Sequence, residues 1–214
     1  MAEAAEKRDL SKWMETYRIY VLENGKPPPS VFAFCRLLEI GEEEFFAEFP
    51  TLESLEGAIW AERLHHVREM LEADEEYATY PPRQKALAFF YTFLEAIRGQ
   101  RSWYLARFPR KFPAPDPKTL ERFRKSFLEW AEPVAAEEVG EGKLATKLKA
   151  DKKVAKLLYG HFRAILKYHL EDDSENFEST DAFVEKSSRL FFDLADTRIP
   201  ESAADFFRFL SGKK

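Results

Sequence analysis

Four histidines and one cysteine are the side chains best suited to metal or nucleophilic chemistry in this chain, and their spacing argues against both. His65 and His66 are adjacent, so on a helix they diverge by about 100°, while His161 and His169 stand about 12 Å apart along a helix axis. Neither pair chelates a metal by itself. Cys35 lies in the run VFAFCRLL and reads as a small buried residue, with a redox role the lesser alternative. GEGKLATK lacks the upstream glycine spacing of a phosphate loop, and DDSENFE lacks the glycine and closing glutamate of a calcium loop. No Ser/His/Asp or Cys/His arrangement emerges, so the expectation is a protein that is not an enzyme and carries no cofactor or metal.

Three other residue sets suit binding. Large rings recur at helical spacing: Phe89, Phe90 and Phe93; Trp103, Tyr104 and Phe108; Phe123, Phe127 and Trp130; Tyr159 and Phe162. They suit a close-packed core, or the lining of an apolar pocket for which Phe90, Phe93, Trp103, Phe127, Trp130 and Phe162 are the candidates. Lys143, Lys147, Lys149, Lys152, Lys153 and Lys156 form a basic stretch among leucines and valine, either a solvated face or a contact for anionic lipid or an acidic partner. Glutamates 42, 43 and 44 form the third set, either a solvated structural face, which is the commoner case, or acceptors for base edges.

The elements that must position these residues are helical. Apolar residues recur with helical period nearly everywhere, and no stretch shows the sustained alternation of a half-buried strand. The spacing predicts a helix from about Glu6 to Asn24, stopped by Gly25, and Pro27, Pro28 and Pro29 then forbid helix. Ser30 suits the N-cap of a short helix over Val31 to Leu38, Gly41 opens another to about Phe49, and Leu52 to about Leu71 forms a long fourth. Pro81 or Pro82 starts a helix to about Arg98, and a short helix holds Trp103, Tyr104 and Phe108. Asp116 and Pro117 read as N-cap and first-turn residue of a helix that runs until Pro133. Helix resumes through KLATKLKADKKVAKLLYGHFRAILKYHL, and TDAFVEKSSRLFFDLAD and SAADFFRFL close the chain. Nine or ten helices result, in an all-α chain.

The 214 residues are 45% hydrophobic and 33% charged, enough for one or two modest domains with a real core. A single cysteine, no apolar run of roughly 18 residues and no apolar leader in MAEAAEKRDL lead to the expectation of a cytoplasmic protein without a membrane span. The net charge of −5 gives no general attraction to nucleic acid or anionic membranes. Residues 1–60 hold six basic against twelve acidic residues, leaving 27 and 26 for the remainder, so the excess negative charge is concentrated at the start.

A longer first helix, two short helices around a tight turn and a long connecting helix make the layout of a helix-turn-helix headpiece on a helical body. The segment NGKPPPSVFAFCRLLEIGEEEFFAEFPTLESLEGAIW carries this further. Gly25, Ser30, Val31, Phe34, Phe45, Phe46, Phe49, Thr51, Leu52 and Leu55 fall without a gap on the positions of a recurrent pattern, and over residues 10–65 the chain resembles the N-terminal domain of tetracycline-repressor (TetR) family regulators. The resemblance implies a headpiece over residues 1–52 and a ligand-binding, dimerising body over 53–214. It implies duplex DNA contacts from Lys26, Ser30, Arg36, Glu42, Glu43, Glu44 and Phe46. The segment holding Phe183, Ser187, Leu190, Phe191 and Leu194 looks like the last long helix of TetR-type bodies, which usually forms a homodimer seam; on spacing alone ordinary core serves equally.

Four departures from the pattern bear on function. Glu39 replaces the turn glycine, so a left-handed conformation there carries about 1 kcal/mol of strain. Glu42, Glu43 and Glu44 occupy positions from which family members send polar or basic side chains to DNA, Phe46 stands where a tyrosine hydroxyl meets a phosphate, and Leu52 where a lysine does. From Lys26 to Trp60 there are two basic residues against seven glutamates, a surface that repels a polyanion. Two functions follow. By family, the chain is a dimeric regulator whose body senses a hydrophobic small molecule. By physics, it is a TetR-fold protein that no longer grips DNA and carries a lipid-like ligand or docks another protein, similar in outline to the TetR-fold lipid-binding accessory proteins of ubiquinone biosynthesis.

Overall fold

The computed structural model describes residues 10–109, 115–139 and 150–196. Among these, nine α-helices in chain order and four short 3-10 turns make up an all-α fold. The first helix, α1 (Leu10–Asn24), turns Trp13, Met14, Tyr17 and Val21 into the core and stops at Gly25, whose φ of +67° few other residues would adopt. Ser30 caps α2 (Val31–Leu38) by accepting from the Ala33 N–H at 3.1 Å. Glu39 is left-handed (φ 58°, ψ 38°) at the turn into α3 (Glu42–Glu48), as its place in the pattern requires. Thr51 and Ser54 form a reciprocal capping box at the start of α4 (Leu52–Glu72).

The long helix α4 packs on helices both before and after it in the chain. Its N-terminal turns pack on α1, and its flanks meet α5 (Pro82–Ile97) and α7 (Glu121–Val139). The short α6 (Arg101–Arg107) lies against α1 and α8 (Ala150–Glu171), and α9 (Glu178–Asp196) closes the body over α5 and α8. One continuous set of buried side chains runs from Trp13 to Phe192 through every helix. At the seam of α4 with the turn Lys118–Leu120, a Cβ on Gly57 would stand 3.2 Å from the Thr119 carbonyl oxygen, so a bare Cα is what permits the approach.

Two expectations give way to tertiary packing. The helix that holds Trp130 does not end at Pro133 but continues to Val139 with the proline inside it. An interior proline costs about 3 kcal/mol, and burial of Ala131, Val134 and Ala135 around it, against α8, offsets that cost. Nor is Asp116 an N-cap: Pro117 holds the cap position, while the Asp116 carboxylate accepts from the Tyr159 hydroxyl at 2.9 Å and pairs with Arg163 at 3.2 Å. The expected helix over 202–210, the start of the first helix before Leu10 and lysines 143, 147 and 149 lie outside the described residues.

Two buried polar clusters hold the helices in register. Glu56 on α4 is 1% exposed; it accepts from the Tyr17 hydroxyl of α1 at 2.7 Å and pairs with Arg107 of α6 at 2.9 Å. Burial first, then the neighbouring Glu56 carboxylate, pushes the Tyr17 hydroxyl far above the ordinary tyrosine range, so it acts only as a donor. At the other end, Asp172 receives the Thr180 N–H at 2.8 Å and its hydroxyl at 2.5 Å, tying the exit of α8 to the first turn of α9. Burial alone would raise the Asp172 carboxyl; the bonds from Thr180 and Ser174 outweigh it and hold the group at about 2. Arg101 caps the end of α8 by donating to the carbonyls of Leu170 and Asp172 at 2.9 and 2.6 Å.

His161, 6% exposed, faces the opposite electrostatics. The Ser187 hydroxyl donates to the Phe183 carbonyl at 2.6 Å, so the His161 Nε2 at 2.9 Å must donate to Ser187, and Nδ1 is buried without a hydrogen-bond partner among the described residues. Burial lowers this imidazole to about 4.

These clusters make two predictions. Arg107→Ala leaves a buried carboxylate without its counter-charge and is expected to cost about 2–4 kcal/mol in urea unfolding, against about 1 kcal/mol for Tyr17→Phe. Because His161 is neutral when folded and binds a proton when unfolded between pH 6.5 and 4, stability is expected to fall by roughly 2–3 kcal/mol as pH drops through that window. Asp172 adds a further loss below pH 4, towards 2. A His161→Phe variant with an unchanged pH profile between 6.5 and 4 would refute the assignment of that window to His161.

Candidate functional site

The headpiece is the first candidate. On α3, Phe45 is fully buried and Glu44 is half-buried, while Glu42, Glu43, Phe46, Ala47 and Glu48 are exposed, so the exposed residues of this helix are three glutamates, an alanine and a phenylalanine. A four-residue spacing puts Glu42 and Phe46 one turn apart on one face of the helix. No cation lies in this helix, and Glu42, Glu43 and Glu44 form no ion pair among the described residues. Gly41 supplies no side-chain cap, so the three glutamates meet the unpaired N–H groups at the positive end of the helix, which gives them a structural use. They also stand close enough to the buried Cys35 that, after burial itself, Glu42 and Glu44 push its thiol further up; it stays protonated and is a poor redox centre.

The remaining DNA-contact candidates are few. Lys26 and Arg36 are exposed, but the Ser30 hydroxyl is engaged as the cap of α2. The helix-turn-helix geometry is therefore built from buried rings and caps: Tyr17 meets Phe34 edge-on at 5.8 Å, Phe34 meets Phe45 at 6.0 Å, and Trp13 stacks on Phe45 at 5.9 Å. None of these contacts involves the outward face.

The body is the second. All six pocket candidates are buried and pack ring against ring. Phe162 sits at the centre, 5.7 Å from Phe90, 5.0 Å from Phe93 and 5.2 Å from Phe127, and Trp130 stands 5.2 Å from Phe127. Trp103 belongs to an adjoining group with Trp60 at 5.4 Å, joined to the first through Phe123. Two clefts of about 350 Å³ each lie elsewhere. One is lined by Leu105, Phe108, Pro109, Lys167, Leu170 and Glu171; the other, between α3–α4 and the start of α7, includes Glu48, Gly57, Lys118 and Arg122. Sequence reasoning found neither cleft, nor the Glu56–Arg107 pair, whose partners are 51 positions apart. The one available signal was a carboxylate a single turn before Trp60 in an otherwise apolar stretch.

The seam candidates divide between two surfaces. Phe191 is 4% exposed and stacks on His161 at 5.2 Å, and Ser187 bonds to the same ring. Phe183 is half-buried and stacks on Tyr168 at 4.5 Å, while Leu190 is 48% exposed. The side chain of Leu194 lies outside the described residues. No helix among the described residues is long and apolar enough to cross a membrane.

Comparison with known proteins agrees with this architecture. A family model described as the tetracyclin repressor-like C-terminal domain matches residues 85–210, more than half of the chain, beginning near the start of α5 and covering the aromatic body. No curated protein and no solved structure matches the chain significantly. This match over more than half of the chain, in an all-α fold, establishes that the chain belongs to the TetR family of regulators.

Proposed function

We propose that this TetR-family protein is a homodimeric regulator whose headpiece, residues 1–52, works through a protein contact rather than operator capture, and whose body, residues 53–214, responds to a hydrophobic small molecule. The observation that carries the reading is the outward face of α3: Glu42, Glu43 and Phe46 where a phosphate-neutralising surface would be needed. DNA presents roughly one negative charge per 1.7 Å of axis, and affinity is supplied largely by Lys and Arg displacing counterions. Glutamate can accept from cytosine N4, but only once phosphate contacts hold a helix in the groove. Lys26 and Arg36 are too few for that.

Ligand response rests on the family and on the six core rings, which would have to part to admit an apolar guest. Dimerisation rests on α8 and α9, where Leu190 and Tyr168 are exposed. A second reading, an operator-binding regulator, is favoured by the intact caps at Ser30 and Thr51, which keep the bihelical geometry ready for a groove.

Titration of a duplex from the protein's own upstream region separates the two. At about 50 mM salt the wild-type chain is expected to give no shift at micromolar concentration, and Glu42→Lys/Glu43→Lys to gain at least about tenfold in non-specific affinity. Nanomolar, sequence-selective binding by the wild type would establish the operator reading instead. For the seam, Leu190→Arg is expected to move the sedimenting species from dimer to monomer with the helical signal unchanged.

A further inference from the structure

Three contacts join α4 to α6 and to the turn that precedes it, Arg98–Gln100. Glu56 meets Arg107, Trp60 meets Trp103 and Arg63 meets Gln100, so each step of three or four residues up α4 is matched by the same step back towards the start of α6. They are successive rungs between antiparallel segments. The outer two are polar and satisfied, Arg107 pairing with Glu56 at 2.9 Å and Arg63 donating to Gln100 at 3.0 Å. The middle rung is different. Trp60 and Trp103 are 0% and 1% exposed, their rings stand 5.4 Å apart, and neither indole N–H has a hydrogen-bond partner among the described residues. Tyr104 meets Trp60 edge-on at 4.9 Å and Trp103 at 5.0 Å, but a ring face is a far weaker acceptor than a carbonyl oxygen. Elsewhere the chain supplies the acceptor itself: Trp130 donates its N–H to the Tyr77 hydroxyl at 3.0 Å. A buried donor left unmade is costly, so two on neighbouring rings mark a place where an acceptor is missing.

Resting on the reading that the body responds to a hydrophobic small molecule, we infer that this molecule is recognised at the Trp60–Trp103 rung and carries a carbonyl group on an apolar frame. An indole offers one donor and no acceptor, and a carbonyl oxygen has two lone pairs with which to take both N–H groups. The frame would lie among rings, since Phe123 stands 5.8 Å from Trp60 on the side away from no charge of its own. A carboxylate is a poor occupant: the buried Glu56 lies one turn away, and its counter-charge, Arg107, is already engaged. A pure hydrocarbon is the lesser fit, because it leaves both donors as they were. The guest enters by parting the two indoles, while the polar rungs on either side hold α4 and α6 in register.

The test uses the full-length chain with 2-heptanone, 2-nonanone and 2-undecanone beside heptane, nonane and undecane, read through the indole N–H resonances of its four tryptophans. The ketones are expected to move the Trp60 and Trp103 signals and to leave that of Trp130, already bonded to Tyr77, in place. Trp60→Phe/Trp103→Phe should weaken ketone binding at least about tenfold and alkane binding less than about twofold, because only the ketone loses hydrogen bonds. If the double variant loses its helical signal, Trp103→Phe alone should weaken the ketones at least about threefold. Ketone binding that leaves both indole signals unmoved, or that resists the substitutions as well as alkane binding does, would overturn the proposal and leave a ligand-responsive body standing. Binding of the alkanes alone would do the same. Binding of neither series would overturn the underlying reading together with this one.

Discussion

Glu56 is the constraint on which the rest of the arrangement depends. A carboxylate that is 1% exposed would be prohibitively costly to bury alone; here it is met by the Arg107 guanidinium and the Tyr17 hydroxyl. The three residues lie on α4, α6 and α1, so one buried charge fixes the first helix of the headpiece, the connecting helix and the body relative to one another. Hydrophobic packing would tolerate small rotations among these helices, whereas a bidentate ion pair with a third donor does not. Partly buried bonds nearby add to the tie: Arg63 of α4 donates to Gln100 at 3.0 Å and to the Tyr104 hydroxyl of α6 at 3.3 Å.

On the proposed function, this division of labour lets a headpiece keep its shape whatever side chains its outward face carries. What holds α1, α2 and α3 together is inside: Trp13, Tyr17, Phe34 and Phe45, the Ser30 cap and the left-handed Glu39. What would grip a duplex is outside, on side chains that contribute almost nothing to the fold. Glu42 and Glu43 even favour the fold slightly, since they sit at the positive end of a short helix that lacks a side-chain cap. Stability therefore exerts no pull towards lysine at these positions. Phe32 and Phe46 stay more than half exposed, although the Phe46 ring meets the buried Phe45 edge-on at 5.9 Å.

Much of the fold was legible because its signals are local. Gly25 after α1, the prolines before Ser30, the Thr51 cap and Pro82 at the start of α5 each act within one turn of themselves, and each sits where the residue types required. Asp116 and Pro133 misled for the opposite reason: their local preferences were overridden by partners on α8, more than forty positions away from Asp116 and across a helix interface from Pro133. The acidic character of the reading face was also visible in the residues themselves. Ring spacing, however, does not distinguish a filled core from a lined cavity, because both demand the same inward stripe; the close contacts around Phe162 add what periodicity lacks.

The central claim is that a TetR-family headpiece here has the geometry of a DNA reader without the electrostatics of one. Selection of bound duplexes from a random-sequence pool by the full-length protein at about 0.15 M salt tests it without assuming an operator. The account predicts that successive rounds enrich no motif. Convergence on an inverted repeat with half-sites about one helical turn apart would contradict it.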